Sequence, residues 1–324
     1  GARLVAWAES HGASASEKVG FLQPGPGGDR RCVALRAVDE DELLAEVPRA
    51  LALETPPART LGVAPELQGL LARAAARSGE AGPAGRSLAV ALLLHHEYMM
   101  GDASDFAGYI GCLPASFPTM PLLDEAPPWE AQDGGEGGAE DADAPRLYRG
   151  TGVERLARSG VALAGKRGVA RMRQLIEELD PEGLHWHHAQ RGNDAALRWA
   201  AAAVQSRAHA SRRGATALVP LADCFNHSPA APNCELCEAD GAFRVRALRA
   251  VSAGEELLLS YGHFSNAELL FNAGFACAHN PEDCVLVSRE ELMAAALQRW
   301  RARGLEPPGE EELRRRCERL GAGL

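Results

Sequence analysis

The chain has 324 residues, 46% hydrophobic and 24% charged, enough to bury the core of one large soluble domain or two ordinary ones. A net charge of −10 argues against a nucleic-acid binder, which needs a basic face for phosphate, and no run reaches the ~18 apolar residues of a membrane span. Eight cysteines are too sparse for a disulfide scaffold, so reduced and mostly buried thiols are expected.

Residues 1–20 lack the basic-then-apolar layout of a signal peptide and no initiator Met is present, so a fragment or processed form is expected. An intracellular setting (cytoplasm, nucleus or plastid) is the expectation, although no address is readable. Only Lys18 and Lys166 among the 34 basic residues are lysines. That fits an enzyme that acts on lysine and spares itself, but composition drift in an Ala- and Arg-rich proteome is the simpler account.

GARLVAWAESHGA (1–13) predicts a short helix ended by Gly12. RCVALRAVDEDELLAEVPRALALE comes in short apolar bursts broken by acidic turns, the pattern of two or three small strands. From about Pro65, ELQGLLARAAAR and SLAVALLLHHEYMM place apolar residues at helical spacing, with Ser87 as an N-cap and His95 and His96 at the rim of the core helix. The acidic, Gly-rich stretch 124–145 cannot bury enough surface to offset its ordering entropy and reads as a disordered surface insertion. Helical pattern resumes at GVARMRQLIEELD and NDAALRWAAAAVQSRAHA. Strand pattern returns at FRVRAL and, after the turn SAGE, at EELLLSYG. Residues 289–324 read as one or two amphipathic helices around a PPGEE break, a short or truncated helical region. Strands, then helices, then strands make an α+β chain, a β domain over 1–288 with a helical insertion at about 58–215.

Two stretches carry the candidate chemistry, LVPLADCFNHS (218–228) and AGEELLLSYGHFSNAELLFNAGF (253–275). Alone, Asn226-His227-Ser228 fits a glycosylation acceptor, but Pro229 follows directly; an Asn-His pair beside an apolar run is more simply a satisfied buried polar pair. Cys234 and Cys237 form a CxxC, and with Cys277 and Cys284 they offer a four-thiolate zinc reading, although the second pair is spaced too widely. HWHH (185–188) sets His187 beside His188 rather than on one helical face, which favours surface over a metal site, and no metal is expected.

In combination, these stretches resemble the C-terminal half of the SET-domain methyltransferases, in the branch of the Rubisco large-subunit lysine methyltransferases and their animal relatives. CVALRAVDEDELLAEVPRALAL is similar to that family's first strands, the Tyr-Ile-x-x-Leu-Pro turn at 109–114 to its helical insert, and WAAAAVQSRAHA to the helix that carries its Ser-Arg pair. The resemblance covers about residues 3–288 and implies a twisted SET fold in which the Asn-His segment threads under a loop as a pseudoknot beside S-adenosylmethionine. It places Arg207 on the cofactor carboxylate, Asn226 and His227 on its amino and adenine parts with Asp223 assisting, and Phe275, after Gly274, on adenine. Tyr261 matches the tyrosine at the methyl-transfer channel. The expected partner is a protein substrate, methylated on lysine, with no nucleic acid and no membrane, and a monomer is expected.

Three departures stand out. Asp29 and Arg31 occupy the family's early glycine positions, which either crowds the cofactor and leaves a silent adaptor, or requires a turn rebuilt on Gly27 and Gly28. Ala273 replaces a tyrosine common in lysine-specific members, and His209 replaces an aromatic residue. A branch that methylates histidine carries a small residue at the first of these, so imidazole is the alternative acceptor.

Overall fold

The structure, a computed structural model, describes residues 1–25, 29–55, 62–77, 83–120, 148, 151–158, 163–186, 193–210, 215–285, 287, 289–304, 306, 309, 311–312 and 315. The acidic stretch 124–145 and His187–His188 lie outside them.

Helix α1 (Ala2–Ser10) buries Leu4 and Ala8, and Gly12 at φ 89° turns the chain out of it. Strand β1 (Ser14–Ala15) pairs with β4 (Leu43–Pro48), which pairs with β10 (Ala242–Ala247), which pairs with β9 (Cys234–Ala239). The alternation in AFRVRA turns Phe243, Val245 and Ala247 into the core and leaves Arg244 outward, where it pairs with Glu46 across the strands. Asp240 and Gly241 both take positive φ, the two-residue turn that closes β9 onto β10. A second antiparallel pair joins β2 (Val19–Pro24) to β3 (Arg30–Ala34). A three-stranded sheet runs β5 (Leu53–Thr55), β7 (Thr216–Leu218), β6 (His209–Ala210).

Between β5 and β6 lie α2 (Pro65–Arg77), α3 (Pro83–Met100), α4 (Ala107–Ile110), α5 (Gly152–Arg158), α6 (Lys166–Leu179) and α7 (Asp194–Arg207). Helix α7 is capped by Asn193, whose side chain accepts from Ala196 N–H at 3.1 Å. Its run Ala200–Ala203 is fully buried, since small side chains let it lie close against α3.

Three local expectations are corrected. Ser87 lies inside α3, which starts a turn earlier with proline at its first position, where the missing N–H costs nothing. His95 is 0% exposed rather than at a rim. Helix α7 ends at Arg207, because His209 and Ala210 pair with β7 instead of continuing the helical pattern. Of the seven described thiols only Cys32, Cys224 and Cys234 are buried.

Helix α8 (Asn266–Ala273) opens with a capping box of Ser265 and Glu268 and closes on Gly274 in the left-handed conformation. By Cα proximity Gly1–Asp283 forms one unit and Cys284–Leu324 another; the second contains α9 (Arg289–Ala302).

Candidate functional site

Asp223 is placed by an uncommon backbone turn. Leu221 has φ 67° and ψ −52°, and Ala222 N–H donates to the Pro220 carbonyl at 2.9 Å, a γ-turn of the rare positive-φ form. A bulky residue is strained there, and complete burial of the Leu221 side chain holds it. The following turn, Ala222–Cys224, points Asp223 inward with its side chain 1% exposed.

The Asp223 carboxylate accepts from the Tyr109 hydroxyl at 2.7 Å and, more weakly, from the Cys224 thiol at 3.6 Å. Arg207, the last residue of α7, donates from Nη1 to the Asp223 main-chain carbonyl at 2.7 Å and stands 3.8 Å from its carboxylate. Burial is the largest single influence on Arg207 and pushes it down, but Asp223 together with Cys224, Tyr109 and Tyr261 outweighs it, and the guanidinium ends above its ordinary value. Burial, then the charge of Asp223, holds Tyr109 well above the usual phenol range, so it stays a donor.

Asn226–His227 (β8) pairs in parallel with Leu258–Leu259 (β11), which brings the two quoted stretches together. The Asn226 amide donates to the Arg30 carbonyl at 3.1 Å and to Glu256 Oε1 at 2.8 Å. His227 Nδ1 accepts the Tyr261 N–H at 3.0 Å, so the neutral ring carries its hydrogen on Nε2. Burial pushes His227 below its ordinary value and favours that neutral ring.

Tyr261 is the hinge of the arrangement. Its hydroxyl donates to the Phe225 carbonyl at 2.7 Å, and its ring stacks on His227 at 4.9 Å. Edge-on contacts follow with His209 at 6.3 Å and Phe275 at 6.5 Å. Burial raises the Tyr261 phenol above its usual range, with Arg207 opposing and Asp223 adding to the rise.

A cavity of about 430 Å³ opens against this cluster, walled by Arg207, His209, Asp223, Tyr261, Phe264 and Ala273 among others. Three of the predicted site residues, Arg207, Asp223 and Tyr261, therefore share one cavity. His227 and Phe275 pack on Tyr261 without lining it, and Asn226 binds the β3 backbone instead. Gly274 is needed twice: its φ is 79°, and a β-carbon there would collide with the Thr119 hydroxyl of the insertion.

Around Tyr261, Arg207 Nε, His227 Nε2 and His209 Nε2 are buried with no partner among the described residues, as is Arg31 Nε on β3. The two arginine nitrogens and His227 Nε2 are donors, so the site retains capacity for an acceptor-rich group such as a carboxylate or a ribose. The β2–β3 turn is closed by Gly25 N–H on the Asp29 carbonyl at 2.7 Å, and the Arg30 guanidinium is drawn away to the Cys112 carbonyl at 2.8 Å.

Among the described residues no group of three His, Cys, Asp or Glu side chains is placed to hold a metal. The four-thiolate reading fails because Cys234 and Cys237 lie on one strand at odd spacing, which turns them to opposite faces. Tyr109 was not singled out as a site residue by the sequence; the Tyr-Ile-x-x-Leu-Pro turn marked its position but not its reach to Asp223.

Comparison with known proteins adds the family. A model described as SET domain matches residues 30–262. The human SET domain-containing protein 4 is 36% identical over 78 residues, 24% of this chain and 18% of that protein. Ribosomal lysine N-methyltransferase 4 of Schizosaccharomyces pombe is 31% identical over 105 residues, 32% of this chain and 21% of that protein. The chain thus matches only a small part of the length of these curated relatives. Among solved structures, the SET domain of LSMT bound to lysine and AdoHcy aligns with TM-score 0.57 at 19% identity, over 85% of this chain and 56% of that one. Rubisco LSMT bound to AdoMet aligns with TM-score 0.54 at 20% identity, over 85% and 56%. At these identities the likeness establishes the SET fold.

Proposed function

The chain belongs to the SET-domain family, and on that footing we propose that it is an S-adenosylmethionine-dependent methyltransferase acting on a lysine side chain of a protein. The observation that carries the reading is Tyr261, fixed by its hydroxyl on the Phe225 carbonyl and stacked on His227, at the wall of a cavity it shares with Arg207 and Asp223. Similarity to lysine methyltransferases supports it.

S-adenosylmethionine, when bound, supplies a methyl group on a cationic sulfonium. Arg207 would hold its carboxylate through the unspent Nε and remaining amine hydrogens, a charge-assisted contact. Asn226 and His227 would hold the amino and adenine parts, His227 through the free Nε2 hydrogen, with Phe275 against adenine beyond Gly274. Asp223 assists by fixing Arg207.

The acceptor nitrogen must arrive without its extra proton, since its lone pair forms the new bond. A lysine in water has a pKa of about 10.4 and is almost wholly protonated at neutral pH. A half-buried cavity walled by Tyr261, Phe264 and Leu269 desolvates the ammonium and lowers that value. Tyr261 contributes alignment: the bond from its hydroxyl to the Phe225 carbonyl fixes the phenol in place at the cavity wall.

An imidazole acceptor is the second reading, favoured by Ala273 and His209 in the cavity wall, where a small side chain and a polar one leave room for a ring. Calorimetric titration with S-adenosylmethionine tests donor binding. Transfer of a labelled methyl group to lysate proteins, followed by fragment mass spectrometry, tests the acceptor. Saturable binding and methyl-lysine are expected; no binding sinks the enzyme reading, and a methyl group on imidazole nitrogen replaces lysine by histidine.

A further inference from the structure

Asp223 is the acidic member of a buried group assembled from several elements of the chain. Tyr109 arrives from α4 in the helical insertion, Arg207 from the end of α7, and Cys224 from the next position in the turn. Cys32 on β3 donates its thiol to the Cys224 carbonyl at 3.4 Å and closes the underside. Toward the cavity stand His209 and Tyr261. Tyr109 is locked in turn, its ring stacked on Trp7 of α1 at 6.0 Å.

The charges in this group oppose one another at the wall of the cavity. Asp223 raises both Tyr261 and His209 while Arg207 lowers both, so the two ions act with opposite sign on the groups that face the cavity. The guanidinium spends its short bond on the Asp223 main chain and lies 3.8 Å from the carboxylate, which leaves the Tyr109 hydroxyl as the closest donor to that anion. A carboxylate with fewer donors presents more of its charge to its surroundings.

We propose that Tyr109 is a positioning residue of the site, which together with Arg207 offsets the Asp223 charge and so sets how strongly the site prefers a cation over a neutral ligand of the same shape. The inference rests on the methyltransferase reading and deepens it. A methyl donor enters as a sulfonium and leaves as a neutral thioether, and the acceptor must be neutral to react. An unbalanced Asp223 would hold the acceptor as an ammonium ion; an unbalanced Arg207 would repel the sulfonium. The helical insertion, through Tyr109, then tunes the chemistry rather than only covering the site.

The test compares two ligands that differ in this charge, S-adenosylmethionine and S-adenosylhomocysteine, by calorimetry, so no acceptor is needed. Asp223→Asn is expected to lower the preference for the sulfonium about tenfold, the size of one charge acting over roughly 12 Å at an effective dielectric of about 20. Tyr109→Phe keeps the ring against Trp7 and removes only the hydroxyl; it is expected to raise the preference about threefold, since hydrogen bonds to ionised groups are the strong ones. A purely structural role for Tyr109 would weaken both ligands together and leave the ratio where it was. Thermal melts confirm that both variants fold, and Tyr109→Phe is the variant to read if Asp223→Asn does not. A parent that binds both ligands, with the ratio unmoved in the folded variants, overturns the inference alone. A parent that binds neither overturns the methyltransferase reading and this inference with it.

Discussion

Asp223 and His95 are both buried ionisable side chains, one in the strand-and-turn part of the molecule and one in the helical insertion. The Asp223 carboxylate accepts from Tyr109 and Cys224, while Arg207 holds its main-chain carbonyl. His95, fully enclosed on α3, has neither ring nitrogen bonded among the described residues. The first environment stabilises a charge and directs it at a cavity; the second only excludes one. Burial of a polar group is therefore a poor guide to function until its partners are known, and the two regions should respond to perturbation in different currencies, chemistry in one and stability in the other.

The largest effect expected is on the His95 side. Burial, then the neighbouring His96, holds His95 down at about 4, below its ordinary 6.5. Because the folded value is depressed, the unfolded chain binds the proton more readily. The stability contribution is complete above pH 6.5 and is lost as pH falls from there toward 4. The loss is on the order of 3 kcal/mol. Melting temperatures measured across that window should fall in the parent and fall less in His95→Leu; parallel curves would remove His95 from the acid response.

On the other side, Tyr261→Phe should slow methyl transfer roughly a hundredfold, the size of one misplaced alignment contact. Affinity for S-adenosylmethionine should barely change. Unchanged turnover on a verified substrate would take the hydroxyl out of the mechanism. Arg207→Ala should weaken S-adenosylmethionine binding by about 1.5–3 kcal/mol, as expected for hydrogen bonds to charged groups, while the fold persists. Equal affinity in calorimetry would mean that the donor carboxylate lies elsewhere.

The smallest effect expected joins the two regions, since Gly274 on the strand side accommodates Thr119 from the insertion. Gly274→Ala should cost about 1 kcal/mol or somewhat more, from a positive φ and a β-carbon pressed on Thr119. Chemical denaturation reads it directly, and a neutral result would show that the contact yields easily.

Much of the architecture follows from short-range pattern. Alternation fixes β10, helical periodicity fixes α2, α6 and α7, and Asn193 and Gly274 cap or end helices by local chemistry. The stretches WAAAAVQSRAHA, 218–228 and 253–275, through their resemblance to the family, point to Arg207, Asp223 and Tyr261, and these three do share a cavity. Local pattern could not say that α7 stops at Arg207, because the competitor is pairing of His209 and Ala210 with β7, a contact made only once the sheet exists. Nor could it turn Cys234 away from Cys237, since a CxxC points both thiols one way in a turn and opposite ways on a strand.

The composition and spacing of the chain determined its α+β class and most of its helices and strands. These depend on forces between near neighbours, which a sequence displays directly. Tertiary structure alone decided that Tyr109 reaches Asp223 across a separation of 114 residues, and that His95 has no hydrogen-bond partner among the described residues while Arg207 grips a backbone carbonyl. Those outcomes follow from how whole elements pack, and close packing admits only the side-chain meetings that the final arrangement of helices and sheets allows.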